Sequence, residues 1–191
     1  GNVEPLEVDA DTSAIVNAAS AAGALDSEAA QLLVFVGEES SSIAIVDGGE
    51  LRELRSIKQG ALTHLPKEKA QLVTDEESED EEQPLELEEE DSDETVDVEG
   101  LRLQVLARLR RELARTISGA RTIKPLQTVL VAGYDMPGLI GVEILDTPVE
   151  GLDGLPDTAS AASRCAAAYG AAVGQLGGGL VGSSLRREEL R

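Results

Sequence analysis

Leu32-Leu33-Val34-Phe35-Val36-Gly37, then Glu38-Glu39-Ser40-Ser41-Ser42, then Ile43-Ala44-Ile45-Val46-Asp47-Gly48-Gly49-Glu50-Leu51-Arg52-Glu53-Leu54-Arg55-Ser56-Ile57: the reading of this stretch decides the fold. An apolar run, a small polar turn, a second apolar run, a turn centred on Asp47-Gly48-Gly49 and a mixed third run predict three short strands joined by two hairpins. The first strand is apolar on both faces at Leu33, Val34, Phe35 and Val36, which places it inside the sheet. The third mixes Leu51, Leu54 and Ile57 with Arg52, Glu53 and Arg55, which places it nearer an edge.

Upstream, Val3-Glu4-Pro5-Leu6-Glu7-Val8 reads as an extended segment, with Pro5 favouring an edge. Asp9, Asp11 and Thr12 offer capping groups for a helix over Ser13 to Ala22, ended by Gly23, with Ile15, Val16 and the alanines toward the sheet. Downstream, Val98, Leu101, Val105, Leu106, Leu109, Leu113 and Ile117 recur at helical spacing, with Leu103 off the stripe, and predict a helix over Val98 to Ser118 closed by Gly119. Its arginines, among them Arg102, Arg108, Arg110, Arg111 and Arg115, read as a solvated face. Thr128 to Gly133 reads as a buried parallel strand, and Tyr134 to Leu139 as the opening of a short helix. Ligands of α/β sheets bind at such strand-to-helix turns, where backbone N–H groups point outward. Thr147 to Leu152 reads as a short last strand. Asp157 caps an Ala-rich helix from Thr158 to Gly174, in which Cys165 has the small apolar neighbours of an inert core thiol. Gly177-Gly178-Gly179 lacks the Lys-Ser/Thr ending of a phosphate loop and reads as a connector.

The net charge is −21 over 191 residues, which argues against nucleic acid or an anionic membrane surface as partner. Its placement is uneven: Asp75 to Glu99 holds 16 of the 37 acidic residues and no Lys or Arg. Residues 75–97 are therefore expected to be a disordered acidic insertion within a single domain spanning 1–191, with 175–191 a C-terminal tail. No Asp-x-Asp-x-Asp-Gly pattern marks a calcium loop there. Only Phe35, Tyr134 and Tyr169 are aromatic, so the core is aliphatic and stacking on bases is largely excluded. The single Cys165 fits a reducing compartment. No apolar run is long enough to span a bilayer, and the N-terminus carries no signal-peptide pattern. His64 has no second His or Cys near it in sequence and reads as a surface residue.

The order is strand, helix, three-stranded meander, long insertion, helix, strand, short helix, strand, helix. That is the ribonuclease H-like α/β arrangement, a mixed sheet with flanking helices, which also builds each half of the actin-like ATPases. Val34-Phe35-Val36-Gly37 to Ile43-Ala44-Ile45-Val46, with Gly49-Glu50-Leu51 and Arg55-Ser56-Ile57, resembles the second phosphate motif of the type IV pilus assembly protein PilM and the cytoplasmic domain of the type II secretion protein GspL. Leu109-Arg110-Arg111-Glu112-Leu113 before Val129-Leu130-Val131-Ala132-Gly133, then Pro137-Gly138-Leu139, resembles the adenosine-side motif of those proteins. Pro148-Val149, Ala159 to Ala172 and Leu185-Arg186-Arg187-Glu188-Glu189-Leu190 continue the likeness. It covers the second half of the family's two-part fold.

The departures from the family pattern bear on function. Where active members end the first strand Val-Asp-Ile-Gly, with the Asp organising magnesium, this chain has Phe35, which offers a metal no oxygen. Where the adenosine turn is Gly-rich, Gly133 is followed here by Tyr134 and Asp135, whose bulk and charge oppose a nucleotide. A folded subdomain that the family inserts after the third strand is replaced by the acidic stretch. The resemblance thus implies a non-catalytic cytoplasmic scaffold of a pilus or secretion assembly platform, peripheral to the inner membrane through protein partners, or a homodimer. It implies no cofactor, no metal and no catalytic residue. The alternative is an ATP-binding actin-like ATPase whose other half lies outside this sequence, in which Ser40, Ser41, Ser42 and Gly133 would contact the nucleotide. A ribonuclease H-type nuclease would need several carboxylates at strand ends, and Phe35 stands where the first would be.

Overall fold

Side chains alternate across a sheet, and in the strand Ala30–Val36 (β1) both rows are apolar, so β1 is stable only with a layer on each face. The structure, a computed structural model, describes residues 11–63, 98–155 and 165–181. The segment Val3 to Val8, His64, the acidic stretch 75–97, Asp157 and residues 182–191 lie outside the described residues.

β1 pairs antiparallel with Ser41–Asp47 (β2), which pairs antiparallel with Glu50–Ile57 (β3), so the expected meander is present. Gly48 and Gly49 both have positive φ, the geometry a two-residue hairpin turn requires. Past the helix Val98–Gly119 (α2), β1 pairs in parallel with Leu126–Gly133 (β4), ending at Val36 opposite Gly133. Thr147–Gly151 (β6) adds in parallel to β4, and Glu143–Ile144 (β5) adds antiparallel to β6. The sheet order is β3-β2-β1-β4-β6-β5, with β1 central and β3 at one edge.

One face carries Leu32, Val34, Val36, Ile43, Ile45, Val129 and Val131 against Val105, Leu106, Leu109 and Leu113 of α2. The other carries Leu33, Ala44, Val46, Leu130 and Ala132 against Ile15, Val16, Ala18 and Ala19 of Asp11–Ala21 (α1) and Ala166 of Ala166–Gln175 (α3). The result is three layers, helix on sheet on helices. Two buried polar side chains fasten the ends. The Asp47 carboxylate accepts the backbone N–H groups of Ile123 at 2.8 Å and Lys124 at 3.2 Å, holding the β2–β3 turn to the connection into β4. Asn17 accepts the Val181 N–H at 2.8 Å and donates to the Val181 carbonyl at 2.9 Å, clipping the chain after α3 onto α1.

Five local expectations are corrected. Residues 137–141 form turns and not a helix, because Gly138 and Gly141 take positive φ values of 86° and 79° that break helical bonding. A hairpin of β5 and β6, absent from the expected order, turns on Leu145 and Asp146, both at positive φ. Of the three serines expected in a turn, Ser41 and Ser42 belong to β2, and the hairpin bend is Gly37 to Ser40. Cys165 is exposed at the start of α3, while the buried positions of that helix are Ala166, Ala167 and Gly170.

Phe35 is the fifth. Its expected neighbours are the aliphatic residues of α2, with a cost of about 3–5 kcal/mol for Phe35→Ala. It shares its row with Leu33, on the opposite face, where it is half-buried beside the cluster of Ala44 and Val46. Truncation leaves a gap that solvent reaches, so Phe35→Ala is now expected to cost less than about 3 kcal/mol. Urea denaturation checks this: a loss inside the fully buried range would contradict the half-exposed placement.

Candidate functional site

The C-terminal ends of β1 and β4 lie side by side, and the chain leaves each in a different loop: Gly37 to Ser40 from β1, Tyr134 onward from β4. Adjacent parallel strands that send their connections apart leave a crevice at that end of the sheet. Here the crevice is bridged. The Tyr134 N–H donates to the Val36 carbonyl at 2.8 Å, and the Tyr134 hydroxyl donates to Glu38 Oε1 at 2.5 Å across the two loops.

A third segment closes the end from the β3 side. The Ala61 and Leu62 N–H groups donate to the carbonyls of Gly37 and Glu38, each at 2.8 Å. Thr63 Oγ1 accepts the Gly60 N–H at 2.7 Å and donates to the Glu39 carbonyl at 3.2 Å. Both loops out of the crevice are therefore held by main-chain hydrogen bonds, with the Thr63 and Tyr134 side chains adding to them.

Between Ala61-Leu62, the first turns of α2 and the loop after β4 lies a cavity of about 190 Å³. Ala61, Leu62, Leu103, Leu106, Met136 and Pro137 give it an apolar lining, and Glu99, Arg102, Tyr134 and Asp135 supply polar groups. Leu103, off the helical stripe in sequence, is 57% exposed and forms part of this wall. Among the described residues no three His, Cys, Asp or Glu side chains stand close enough to hold a metal ion.

The four residues named for nucleotide contact are placed as follows. Ser40 is exposed in the hairpin bend. Ser41 is fully buried, its hydroxyl donating to the Gln59 carbonyl at 2.6 Å. Ser42 is half-buried opposite Phe35. Gly133 sits against the Val36 backbone at φ +103. Of the four, only Ser40 is exposed, and its carbonyl accepts the Gly37 N–H at 3.0 Å. Sequence reasoning missed the partner of Tyr134, because Glu38 lies 96 residues away and neither residue belongs to a periodic pattern.

Burial, together with the hydrogen bond to Glu38 and its negative charge, pushes the Tyr134 hydroxyl up to about 12 from its ordinary 10.0. A pKa raised in the folded state stabilises the fold below the unfolded value and ceases to do so as pH rises through the folded one. The Tyr134 contribution is therefore intact below pH 10 and lost between there and about 12. In a Tyr169→Phe background, absorbance titration of the remaining phenol should report this high value, and Glu38→Gln should lower it by removing the adjacent charge. An unchanged titration in Glu38→Gln would show that the bridge is absent in solution.

No family model matches the chain, and no curated protein matches it in sequence. Solved structures do match. A PilM–PilN type IV pilus biogenesis complex aligns with a TM-score of 0.60 at 16% identity, covering 90% of this chain and 53% of that one. The ethanolamine utilization protein EutJ from Carboxydothermus hydrogenoformans aligns with a TM-score of 0.50 at 15% identity, covering 82% and 52%. The fold is that of the actin-like ATPases, a ribonuclease H-like mixed α/β sheet. The chain spans about half the length of the structures it matches.

Proposed function

We propose that the chain is a non-catalytic scaffold of a type IV pilus or type II secretion assembly platform, working in the cytoplasm through contacts with proteins at the inner membrane. The observation that carries this is the Tyr134–Glu38 bridge. It spans the end of the sheet where an actin-like ATPase would seat phosphates, and it places a carboxylate there. Glu39 stands exposed beside it, so the hairpin presents two negative charges. A like charge about 4 Å from a phosphate opposes binding by up to about 4 kcal/mol at an effective dielectric near 20, and no lysine or arginine is among Gly37 to Ser40 to offset it.

Two further features agree. Phe35 presents carbon where magnesium would need oxygen, and the Ser41 hydroxyl is already committed to Gln59. Phosphoryl transfer rests almost wholly on positioning and charge stabilisation, so losing these together leaves little to catalyse it. The pilus assignment is supported by the alignment with a PilM–PilN complex, a protein that works with a protein partner.

Calorimetric titration of this chain, and of the full-length protein, with magnesium-ATP should give only heat of dilution. Affinity purification of the full-length protein should recover inner-membrane components of a pilus or secretion platform. Micromolar ATP binding by the full-length protein would instead favour the actin-like ATPase alternative.

A further inference from the structure

Arg108, Arg111 and Arg115 form one exposed row along α2, spaced three and four residues apart. Like charges at that spacing repel and destabilise a helix. The helix dipole favours cations in the last turn, but α2 runs to Gly119, and Arg108 and Arg111 stand well before its end. Glu112 does not offset the row, because its carboxylate is shared between Arg115 and Arg55, the latter at 3.7 Å. Arg121 stands exposed just beyond the helix. A chain of net charge −21 thus gathers cations on one helix face, all as guanidinium groups, which bind carboxylates in two-pronged pairs.

The chain itself supplies a complementary occupant. Asp75 to Asp97, outside the described residues, is rich in acids, holds no Lys or Arg, and leads directly into α2 at Val98. We propose that the part of this segment from Glu88 to Glu94 lies along the arginine row of its own α2. The reach fits. Arg108 and Arg115 stand about 15 and 26 Å along the helix from Val98, a span that about five to eight residues of extended chain cover. Asp93 and Glu90 precede Val98 by five and eight residues, so a reversal of the chain at the start of α2 brings them opposite the row. The tether keeps their effective concentration near the millimolar range, ahead of a free acidic partner. Such an attraction needs no fixed conformation, and it fades as salt shortens the Debye length. The arginine face is thereby reserved: an acidic partner must first displace the segment, and a basic partner that takes the segment uncovers the face. This holds whether or not the scaffold reading does.

Paramagnetic broadening on the whole chain tests the contact. Cys165 is exposed, so Cys165→Ser frees a single labelling position, and Ser92→Cys puts a nitroxide in the segment without altering its charge. At about 20 mM salt the amide signals of Arg108, Arg111 and Arg115 should lose intensity while those of α1, on the other face of the sheet, keep theirs; at about 0.5 M salt the loss should disappear. A tether without docking would broaden the first turn of α2 and leave Arg111 and Arg115 sharp, which would overturn the proposal. Replacing all three arginines by glutamine should abolish the loss at low salt with the helix content unchanged by circular dichroism; Arg111→Gln alone, at an exposed position, should reduce it. Broadening that survives high salt, or that is unaltered in both variants, would refute a charge-held contact. Broadening of unlabelled, isotope-enriched protein mixed with spin-labelled protein would assign the contact to a second copy and refute the intramolecular form.

Discussion

Gly170→Ala should destabilise the protein by about 3 kcal/mol or more, at the upper end of what overpacking costs. Gly170 lies where α3 crosses α1. A Cβ there would stand 2.7 Å from the Ala14 carbonyl carbon and 2.8 Å from the Ala18 nitrogen, and closer still to the Ala14 oxygen. These are backbone atoms of a helix and cannot rotate away as a side chain would, so the helices must separate. Separation would loosen Ile15, Val16, Ala18 and Ala19 from the sheet and strain the Asn17 clip to Val181. With total stabilities of about 5–15 kcal/mol, such a loss should move the denaturation midpoint far. Gly119→Ala is the control: no atom lies within 4 Å of its added methyl, so the change there should be near zero. Urea titrations of the two variants with superimposable midpoints would refute the close crossing.

The close crossing itself was only half legible. Gly170 and Gly174 stand one turn apart in an Ala-rich run, as do Ala14 and Ala18, and small residues at that spacing allow helices to approach. Nothing local says which helix meets which. The same division runs through the molecule. β1 declared itself because both its rows are apolar, and α2 because seven apolar residues keep helical period. Phe35 did not reveal its neighbours: alternation puts it with Leu33 and apart from Val34, but which helix covers that row is settled by the crossover from β3 through α2 to β4. The β5–β6 turn is silent for another reason. Leu145 takes φ +50, a conformation side chains of its kind rarely adopt, and no glycine marks it. At the site, Tyr134 looked like bulk opposing a ligand, and its hydroxyl proves to span the crevice to Glu38.

Gly133→Ala should be more damaging still, by about 4 kcal/mol or more, combining overpacking of roughly 1–3 with backbone strain of similar size. At φ +103 an alanine is strained whatever space it has, and here it has none: its Cβ would stand 2.7 Å from the nitrogen and 2.8 Å from the carbonyl carbon of Val36. Gly133 is the last residue of β4 and pairs with the last of β1, so relief must come by parting the two central strands at their C-terminal ends. That movement breaks the Tyr134 N–H bond to Val36 and carries the phenol away from Glu38. Stability and site geometry are thus coupled through one α-carbon. Two measurements should change together. The urea midpoint should fall, and in a Tyr169→Phe background the Tyr134 titration should shift down from about 12, because both its burial and its carboxylate partner are lost. A lowered midpoint with the titration unmoved would mean that the bridge does not depend on how β1 and β4 meet. An unchanged midpoint would contradict the packing of Gly133 on Val36, and with it the closed crevice on which the scaffold reading stands.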